Sequence, residues 1–190
     1  MKSRVKIRIA PPTVVFFALL LLLDRTALSL VPIAAALCHE LGHLVIMYAV
    51  GMEVREVRIS VFGAEIRSAA NYKNELARAA VYAAGGAANI LTALIVWAMK
   101  FDGKYAELFI ACSLALAFIN LLPIRSLDDG CILEALISHF APSHAYSIVT
   151  AVSAVTLAAL WLIAVYILLV CGGNLSLLLF CGCLFWELIL

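Results

Sequence analysis

The pentapeptide His39-Glu40-Leu41-Gly42-His43 decides which fold and which chemistry this chain can have. On an α-helix of about 100° per residue, His43 lies about 40° from His39 and Glu40 lies about 100° from it, so that the three side chains share one face. Two imidazoles four residues apart can bind one zinc ion, and the carboxylate beside them can accept a proton from water. The pattern therefore predicts a zinc-binding helix with Glu40 as a general base.

An apolar run from Leu28 to Gly51 surrounds this pentapeptide. The alternative interpretation is a pair of surface histidines with a glutamate between them on an ordinary soluble helix. A charged side chain in the middle of a bilayer costs about 2.5–3.5 kcal/mol on insertion scales, so ionisable residues in an apolar helix indicate function. The apolar setting favours the metal site.

Composition excludes a soluble domain. The chain has 190 residues, of which 66% are hydrophobic and 13% are charged. This predicts an all-α polytopic membrane protein that forms one bundle, a single domain over residues 1–190. The net charge of +1 says nothing about partners, and we expect no nucleic acid among them. The six cysteines contain no CxxC pair, and we expect no disulfides.

Six membrane helices are predicted, at about 12–28, 29–50, 74–100, 105–122, 145–170 and 175–190. A basic start before the first of them resembles a signal peptide, but no small-residue cleavage site follows, and we expect this helix to be retained. A short helix is predicted from Cys131 to Phe140. Residues 53–69 alternate β-branched and polar side chains around Gly63, which predicts a small β-hairpin at the membrane interface.

Lysine and arginine predict the orientation in the membrane. Ten of them fall in segments 1–11, 51–78 and 124–146, and three fall in the segments on the opposite side. We therefore expect both termini, the hairpin and the loop around Asp128 in the cytoplasm, with the site opening toward that side. His139 lies on this side as well, and so does His144; we expect both to be solvated.

A third zinc ligand must come from elsewhere, because a catalytic zinc site has three protein ligands and one open position. His43 lies about seven residues from the cytoplasmic end of its helix, so about 10 Å deep. Asp128 follows the fourth predicted helix, just after Pro123, and a chain that loops back could carry its carboxylate to that depth. The alternative is that Asp128 or Asp129 caps the helix that begins at Cys131.

Three motifs together resemble the site-2 proteases, a family of intramembrane zinc metalloproteases. That family carries HExxH on one membrane helix, G-P-x-x-N on a later one and N-x-x-P-x-x-x-L-D-G on a third. Here the matching stretches are 39–43, 85–89 and 120–130. The resemblance covers a catalytic core at about 29–135, and the flanking helices are 12–28, 145–170 and 175–190. The two helices after the core, and the lack of an appended domain, resemble the compact branch that includes stage IV sporulation protein FB.

The resemblance implies a zinc metalloendopeptidase with one Zn²⁺ per chain. It assigns His39, His43 and Asp128 as the metal ligands and Glu40 as the general base. It also implies that Asn89 holds the substrate or stabilises the oxyanion. The alternative for Asn89 is an amide that hydrogen-bonds a neighbouring helix.

The expected partners are the lipid bilayer, a membrane protein or membrane-associated pro-protein as substrate, and regulatory membrane proteins. A sporulation sigma factor precursor is a candidate substrate that the resemblance suggests. An unwound substrate could pair with a strand edge at 53–69. The alternative function is a catalytically silent zinc-binding scaffold or a metal permease, although a permease would carry polar residues along several helices.

Two residues depart from the family pattern. Gly86 stands where the family has proline, which predicts a looser helix break around Asn89. Asp129 stands where the family has glycine, and its carboxylate would either compete for zinc or cap the next helix. Asn120 is expected to fix the loop before Asp128 or to support a ligand.

Overall fold

The computed structural model of this protein describes residues 6–9, 13–14, 18, 22, 24, 26–52, 54–60, 63–68, 74–171 and 175–189. The helices in this part are α1 (Leu30–Ala49), α2 (Glu75–Ala98), α3 (Lys104–Asn120), α4 (Asp128–Phe140), α5 (Ala145–Cys171) and α6 (Leu175–Ile189). The strands are β1 (Lys6–Ile9), β2 (Val54–Ser60) and β3 (Gly63–Ser68). The predicted first helix, at 12–28, lies mostly outside the described residues.

Three of the described helices are long and apolar enough to cross a membrane. They are α1, α2 and the stretch Ala145–Val170 of α5, and a shorter apolar stretch, Leu177–Trp186, lies in α6. The predicted fold class, an all-α membrane protein with a small β-hairpin, is confirmed. The chain is an integral membrane protein.

The chain divides into two compact units, residues 1–118 and residues 119–190. The first unit is built on α1 and α2, which bury every fourth residue toward each other. The buried positions are Ala35, His39, His43 and Met47 on α1, and Val81, Gly85, Asn89 and Ala93 on α2. Met47 packs on Val81 at one end of this row, and His39 meets Asn89 further along it, so that the two helices run antiparallel.

Small residues allow α1 and α2 to approach closely. A Cβ added at Gly42 would lie 2.7 Å from Ala88 Cβ and closer still to the carbonyl oxygen of Ala84. Because lipid tails are as apolar as leucine, membrane helices associate through such close backbone packing. Asn74 begins α2 as its N-cap, and its side-chain oxygen accepts a hydrogen bond from the Ala77 N–H at 2.7 Å.

The hairpin forms as predicted, but it is part of a three-stranded sheet of order β1-β2-β3. Strands β2 and β3 are antiparallel, and β1 pairs with β2 in parallel, from Lys6 opposite Glu56 to Ile9 opposite Ile59. Arg8 Nε also lies 3.1 Å from Glu56 Oε1. Sequence analysis missed β1, although its alternation of basic and β-branched residues is typical of a strand. The pairing places residues 6–9 and the hairpin on the same side of the membrane.

In the second unit, the segment before α4 is held by its own neighbours. Ser153 is fully buried on α5 and accepts a hydrogen bond from the Arg125 N–H at 2.9 Å, while its hydroxyl donates to the Val149 carbonyl at 2.7 Å. A Cβ added at Gly130 would lie 2.6 Å from Arg125 N and closer to the Ile124 carbonyl oxygen. The absence of a side chain at Gly130 therefore lets the first turn of α4 lie against this segment.

The predicted start of α4 at Cys131 is wrong, because the helix begins three residues earlier. Leu127 is the N-cap, and Asp128 and Asp129 lie in the first helical turn, so that neither aspartate is the cap. Carboxylates are favourable in the first turn because unpaired backbone N–H groups give a helix N-terminus a partial positive charge.

Candidate metal centre

Helix α1 brings the two histidines together on its buried face. His39 is 7% exposed and His43 is 8% exposed, whereas Glu40, one residue on, is half-buried. The two rings lie edge to face with their centroids 4.8 Å apart, and the two Nε2 atoms are 3.2 Å apart. The predicted shared face of the two imidazoles is confirmed.

Helix α2 binds the other nitrogen of each ring. The Nδ1 atom of His43 lies 2.8 Å from the carbonyl oxygen of Val81. A carbonyl can only accept, so Nδ1 of His43 carries the proton and its Nε2 keeps the lone pair. The Nδ1 atom of His39 lies 3.2 Å from Nδ2 of Asn89, which is completely buried. Ligand histidines in metal sites are typically oriented by a hydrogen bond of this kind at the second nitrogen.

The geometry of the two Nε2 atoms fits a zinc ion. Zinc binds imidazole nitrogen at about 2.0–2.1 Å with tetrahedral geometry, so two such ligands lie about 3.3–3.4 Å apart. The observed separation of 3.2 Å between the two Nε2 atoms is close to that value. Lone pairs aimed at one point repel unless a proton or a cation lies between them. The pair of imidazoles on α1 is therefore suited to hold a metal ion.

Gly85 lies directly beneath the imidazole pair. A Cβ added there would lie 2.6 Å from Cε1 of His43, 2.7 Å from Cε1 of His39 and closer still to Nε2 of His43. The rings can occupy their positions only because Gly85 has no side chain. At the next residue, Gly86, an added Cβ would meet nothing within 4 Å.

Gly85→Ala and Gly86→Ala form a matched pair, because both place one methyl group on the same helix. We expect Gly85→Ala to displace the imidazoles and to lower zinc content and activity at least tenfold, since overpacking of this kind costs about 1–3 kcal/mol. Gly86→Ala should retain zinc and be slightly more stable, since alanine is the better helix former. Zinc stoichiometry of the purified proteins decides the matter. Equal zinc in both variants would contradict the role of Gly85.

The predicted helix break around Asn89 is not observed. Helix α2 continues without interruption from Glu75 to Ala98. Gly86 explains this continuity, because it keeps the backbone N–H that proline lacks and adds no ring that could clash with the preceding turn.

In the second unit, Asp128 is the first residue of α4 and is half-buried. Burial, and then the charge of Asp128, raise the pKa of the Asp129 carboxyl above its ordinary value. Arg125 pairs with Glu134, Nε to Oε2 at 3.8 Å, and its guanidinium stacks over the ring of Tyr146 at 4.1 Å. Arg125 thus has Glu134 and Tyr146 as partners. The role of Asp128 as third ligand stays a prediction.

The remaining candidates lie elsewhere in the described part of the chain. Asn120 is the last residue of α3 and is half-buried. His139 and His144 are both exposed, as predicted, and His144 Nδ1 lies 2.9 Å from Ser143 Oγ. No disulfide forms among the five cysteines whose side chains are described, which are Cys38, Cys112, Cys131, Cys181 and Cys183.

Two features of the centre were missed by sequence analysis. The carbonyl of Val81 carries no signal in the sequence, since every residue has one. The contact of Gly85 with the imidazoles was also missed, although Gly85 begins the matched stretch 85–89 and lies four residues before Asn89, which puts both on one face of α2.

Comparison with known proteins agrees with these observations. The model of the family described as Peptidase family M50 matches residues 27–103, about two fifths of the chain, which include α1, the hairpin and α2. Among solved structures, the "Site-2 Protease from Methanocaldococcus jannaschii" is similar, with a TM-score of 0.65 and 16% identity over 96% of this chain and 88% of that one. At this identity the likeness shows the fold. No curated protein matches the chain.

The resemblance to the site-2 protease family that the three motifs indicate is confirmed. The family match and the fold together support an intramembrane metalloprotease. The family match ends before Asp128, so the third motif depends on the sequence pattern. The compact branch with stage IV sporulation protein FB stays a prediction.

Proposed function

We propose that this chain, which carries the fold and the first two motifs of a site-2 protease, is a zinc metalloendopeptidase that hydrolyses a peptide bond of a membrane-associated or transmembrane protein. The observation that carries the proposal is the imidazole pair of α1. Its two Nε2 atoms lie 3.2 Å apart, and α2 contacts both Nδ1 atoms. Two histidines on the surface of an ordinary helix would not need a partner on a second helix at each Nδ1 atom.

His39 and His43 would hold the zinc ion, with Asp128 as the third ligand. Two imidazole nitrogens and one carboxylate oxygen are a donor set that catalytic zinc accepts, with one position open. A zinc ion held by these residues would polarise the scissile carbonyl and would lower the pKa of a water molecule. One ion per chain is sufficient for this chemistry.

Glu40 is the general base in this proposal. Its carboxylate follows His39 directly and points about 100° away from it around the helix, so it is placed beside the ligands and does not replace one. It would accept a proton from the attacking water and then donate it to the nitrogen of the leaving amine. The peptide bond breaks, and a carboxylic acid and an amine leave the site.

The free edge of the sheet is the proposed docking site for the substrate. A helix hides its carbonyl groups, so a substrate must unwind, and an extended peptide can then pair with a strand edge. Strand β2 is central, since Ile59 pairs with both Ile9 and Ala64. Within the described residues no strand pairs with the outer edge of β3. The outer edge of β1 is likewise unpaired among the described strands, but only β3 belongs to the segment 53–69, so we propose its outer edge as the docking edge.

A proline at Glu65 and a proline at Ile66 test this docking edge. Neighbouring residues of an edge strand direct their N–H groups to opposite sides, so one proline removes an N–H from the β2–β3 ladder and the other removes one from the free edge. We expect one of the two variants to keep its zinc and lose cleavage at least tenfold. If every variant that keeps its zinc also cleaves at the wild-type rate, the docking edge lies elsewhere.

The basic residues of the sheet support an orientation of the protein in the membrane. Strand β1 and the hairpin carry Lys6, Arg8, Arg55, Arg58 and Arg67 on one side of the membrane. We propose that this side is the cytoplasm, in accordance with the positive-inside rule. The site would then open toward cytoplasmic pro-proteins and the cytoplasmic ends of membrane proteins.

Co-expression with candidate membrane-associated substrates tests the proposed function. Wild type should release a shortened product from at least one substrate, and Glu40→Gln should release none. A sporulation sigma factor precursor belongs among the candidates. A protein that binds zinc, cleaves no candidate and shows no phenotype on loss of Glu40 would instead be a zinc-binding scaffold or a metal permease.

A further inference from the structure

We infer that a groove at the N-terminal end of α1 binds a membrane phospholipid whose headgroup carries both a phosphate and a primary amine. The groove lies within the first unit, between the start of α1, the end of α2 and the start of α3, and has a volume of about 630 Å³. None of its lining residues belongs to the candidate metal centre. The inference therefore goes beyond the proposed peptidase and does not depend on it.

The walls of the groove are apolar. Ligand sites are typically cavities of about 300–1,000 Å³ with apolar walls and few polar groups. A transmembrane helix is about 10–12 Å across, so this groove would enclose only about one to one and a half turns of it. A narrow, flexible acyl chain fits the groove better than a helix of a substrate or of a second copy. The residues that form the walls are Leu30, Val31 and Ala34 of α1, Val96 of α2, and Ala106 and Phe109 of α3.

Aromatic side chains place the mouth of the groove at the membrane–water interface. Trp97, Phe101 and Tyr105 are all exposed, near the end of α2 and the start of α3. Tryptophan and tyrosine are enriched at the level of the lipid headgroups. Phe109 lies five residues after Lys104, the first residue of α3, and so about 7.5 Å along that helix. A lipid with its headgroup at the mouth can therefore extend an acyl chain along the walls.

Two side chains of opposite charge lie at the mouth. Asp102 lines the groove and is exposed. The Nζ atom of Lys104 lies 5.2 Å from the ring centroid of Tyr105, which also lines the groove. A headgroup with a phosphate and a primary amine matches this arrangement, with the phosphate toward Lys104 and the ammonium group toward Asp102. Charged groups between membrane helices recognise lipid headgroups in this way.

Hydrogen bonds fix the shape of the groove before a ligand binds. The hydroxyl of Tyr105 donates to the carbonyl oxygen of Thr26 at 2.8 Å, which holds the start of α3 to the segment before α1. The carboxylate of Asp24 accepts from the Thr26 N–H at 2.8 Å and from the Ser29 N–H at 2.6 Å. A preformed site loses less conformational entropy on binding, which favours a permanent lipid site.

Two matched pairs of variants test the inference. Ala106→Phe fills the groove, and Ala111→Phe is its control, because Ala111 is exposed on the same helix and does not line the groove. Asp102→Asn removes the partner of the amine. Its control is Glu107→Gln, since Glu107 is an exposed carboxylate of α3 outside the groove.

The measurement is native mass spectrometry of the full chain after equilibration with equal amounts of phosphatidylethanolamine, phosphatidylcholine and phosphatidylglycerol that have identical acyl chains. Wild type should retain phosphatidylethanolamine preferentially, because a trimethylated amine cannot donate a hydrogen bond to Asp102 and a glycerol headgroup has no cation. Asp102→Asn should reduce the preference over phosphatidylcholine about three- to fivefold, as expected for an exposed ion pair. Ala106→Phe should lose the preference altogether, and both controls should equal wild type.

Equal retention of the three lipids by wild type would overturn the inference. An unchanged preference in Ala106→Phe would do the same, since lipid would then bind outside the groove. Phosphoethanolamine, which has no acyl chains, should not displace the lipid at equal concentration, and displacement would contradict the role of the apolar walls. Asp102 lies in an exposed turn, so Asp102→Asn remains decisive even if Ala106→Phe does not fold. None of these readouts requires zinc or cleavage, so they are independent of the proposed function.

Discussion

Glu40→Gln is expected to abolish peptide cleavage and to leave zinc content unchanged. Glutamine has nearly the same size and shape but cannot accept a proton from water. General acid–base catalysis contributes about 10²–10⁴-fold, so the residual rate should not exceed a few per cent of wild type. Zinc stays because His39 and His43 retain their partners on α2, and none of those contacts involves Glu40.

The measurement is cleavage of a co-expressed substrate together with zinc stoichiometry of the purified protein. Glu107→Gln is the matched control, since Glu107 is exposed in the first turn of α3. It should cleave like wild type. Cleavage by Glu40→Gln at more than a few per cent would remove Glu40 from its role as base, and loss of zinc in this variant would make it a ligand instead.

Asp128→Asn should remove zinc and activity together, whereas Asp129→Gly should preserve both within a few-fold. A neutral amide is a weak zinc ligand, and a site reduced to two imidazoles falls short of the three ligands that catalytic zinc needs. Adjacent residues of a helical turn point about 100° apart, so one tetrahedral ion is not expected to take both carboxylates. Glycine within the first turn of α4 costs at most about 1 kcal/mol in helix stability.

Zinc stoichiometry of both variants is the deciding measurement, with His39→Ala and His43→Ala as references for a lost ligand. Damage confined to Asp129→Gly would mean that the third motif is displaced by one residue. Full zinc in Asp128→Asn and in Asp129→Gly would place the third ligand outside α4. In that case the imidazole pair would remain a candidate for two of the zinc ligands, since its geometry lies wholly within the first unit.

Local patterns could be predicted from the sequence because a helix of 3.6 residues per turn relates positions that are near in the chain. The spacing of His39 and His43 predicted their shared face, and the alternation at 53–69 predicted the hairpin. In each case the sequence itself carries the period that the structure then shows.

Contacts between distant segments could not be predicted in this way. Strand β1 has four residues, and its partner β2 begins more than forty residues later, so nothing local indicates the pairing. The early start of α4 depends on Gly130 fitting against Ile124, a contact made by tertiary packing. The contact that each imidazole makes through its Nδ1 atom could not be predicted either, because it depends on how far the antiparallel helices α1 and α2 are shifted along each other.

The matched four-residue spacing on α1 and α2 has a consequence for how this protein can evolve. An inserted or deleted residue between Gly85 and Asn89 would turn everything beyond it by about 100° and shift it by about 1.5 Å. Asn89 would then leave His39, although every residue of the motif would still be present. Outward positions such as Ala83, Ala87 and Ile90 lie on the exposed side of α2 and can change in identity. This part of the helix is thus free in much of its composition but fixed in its length.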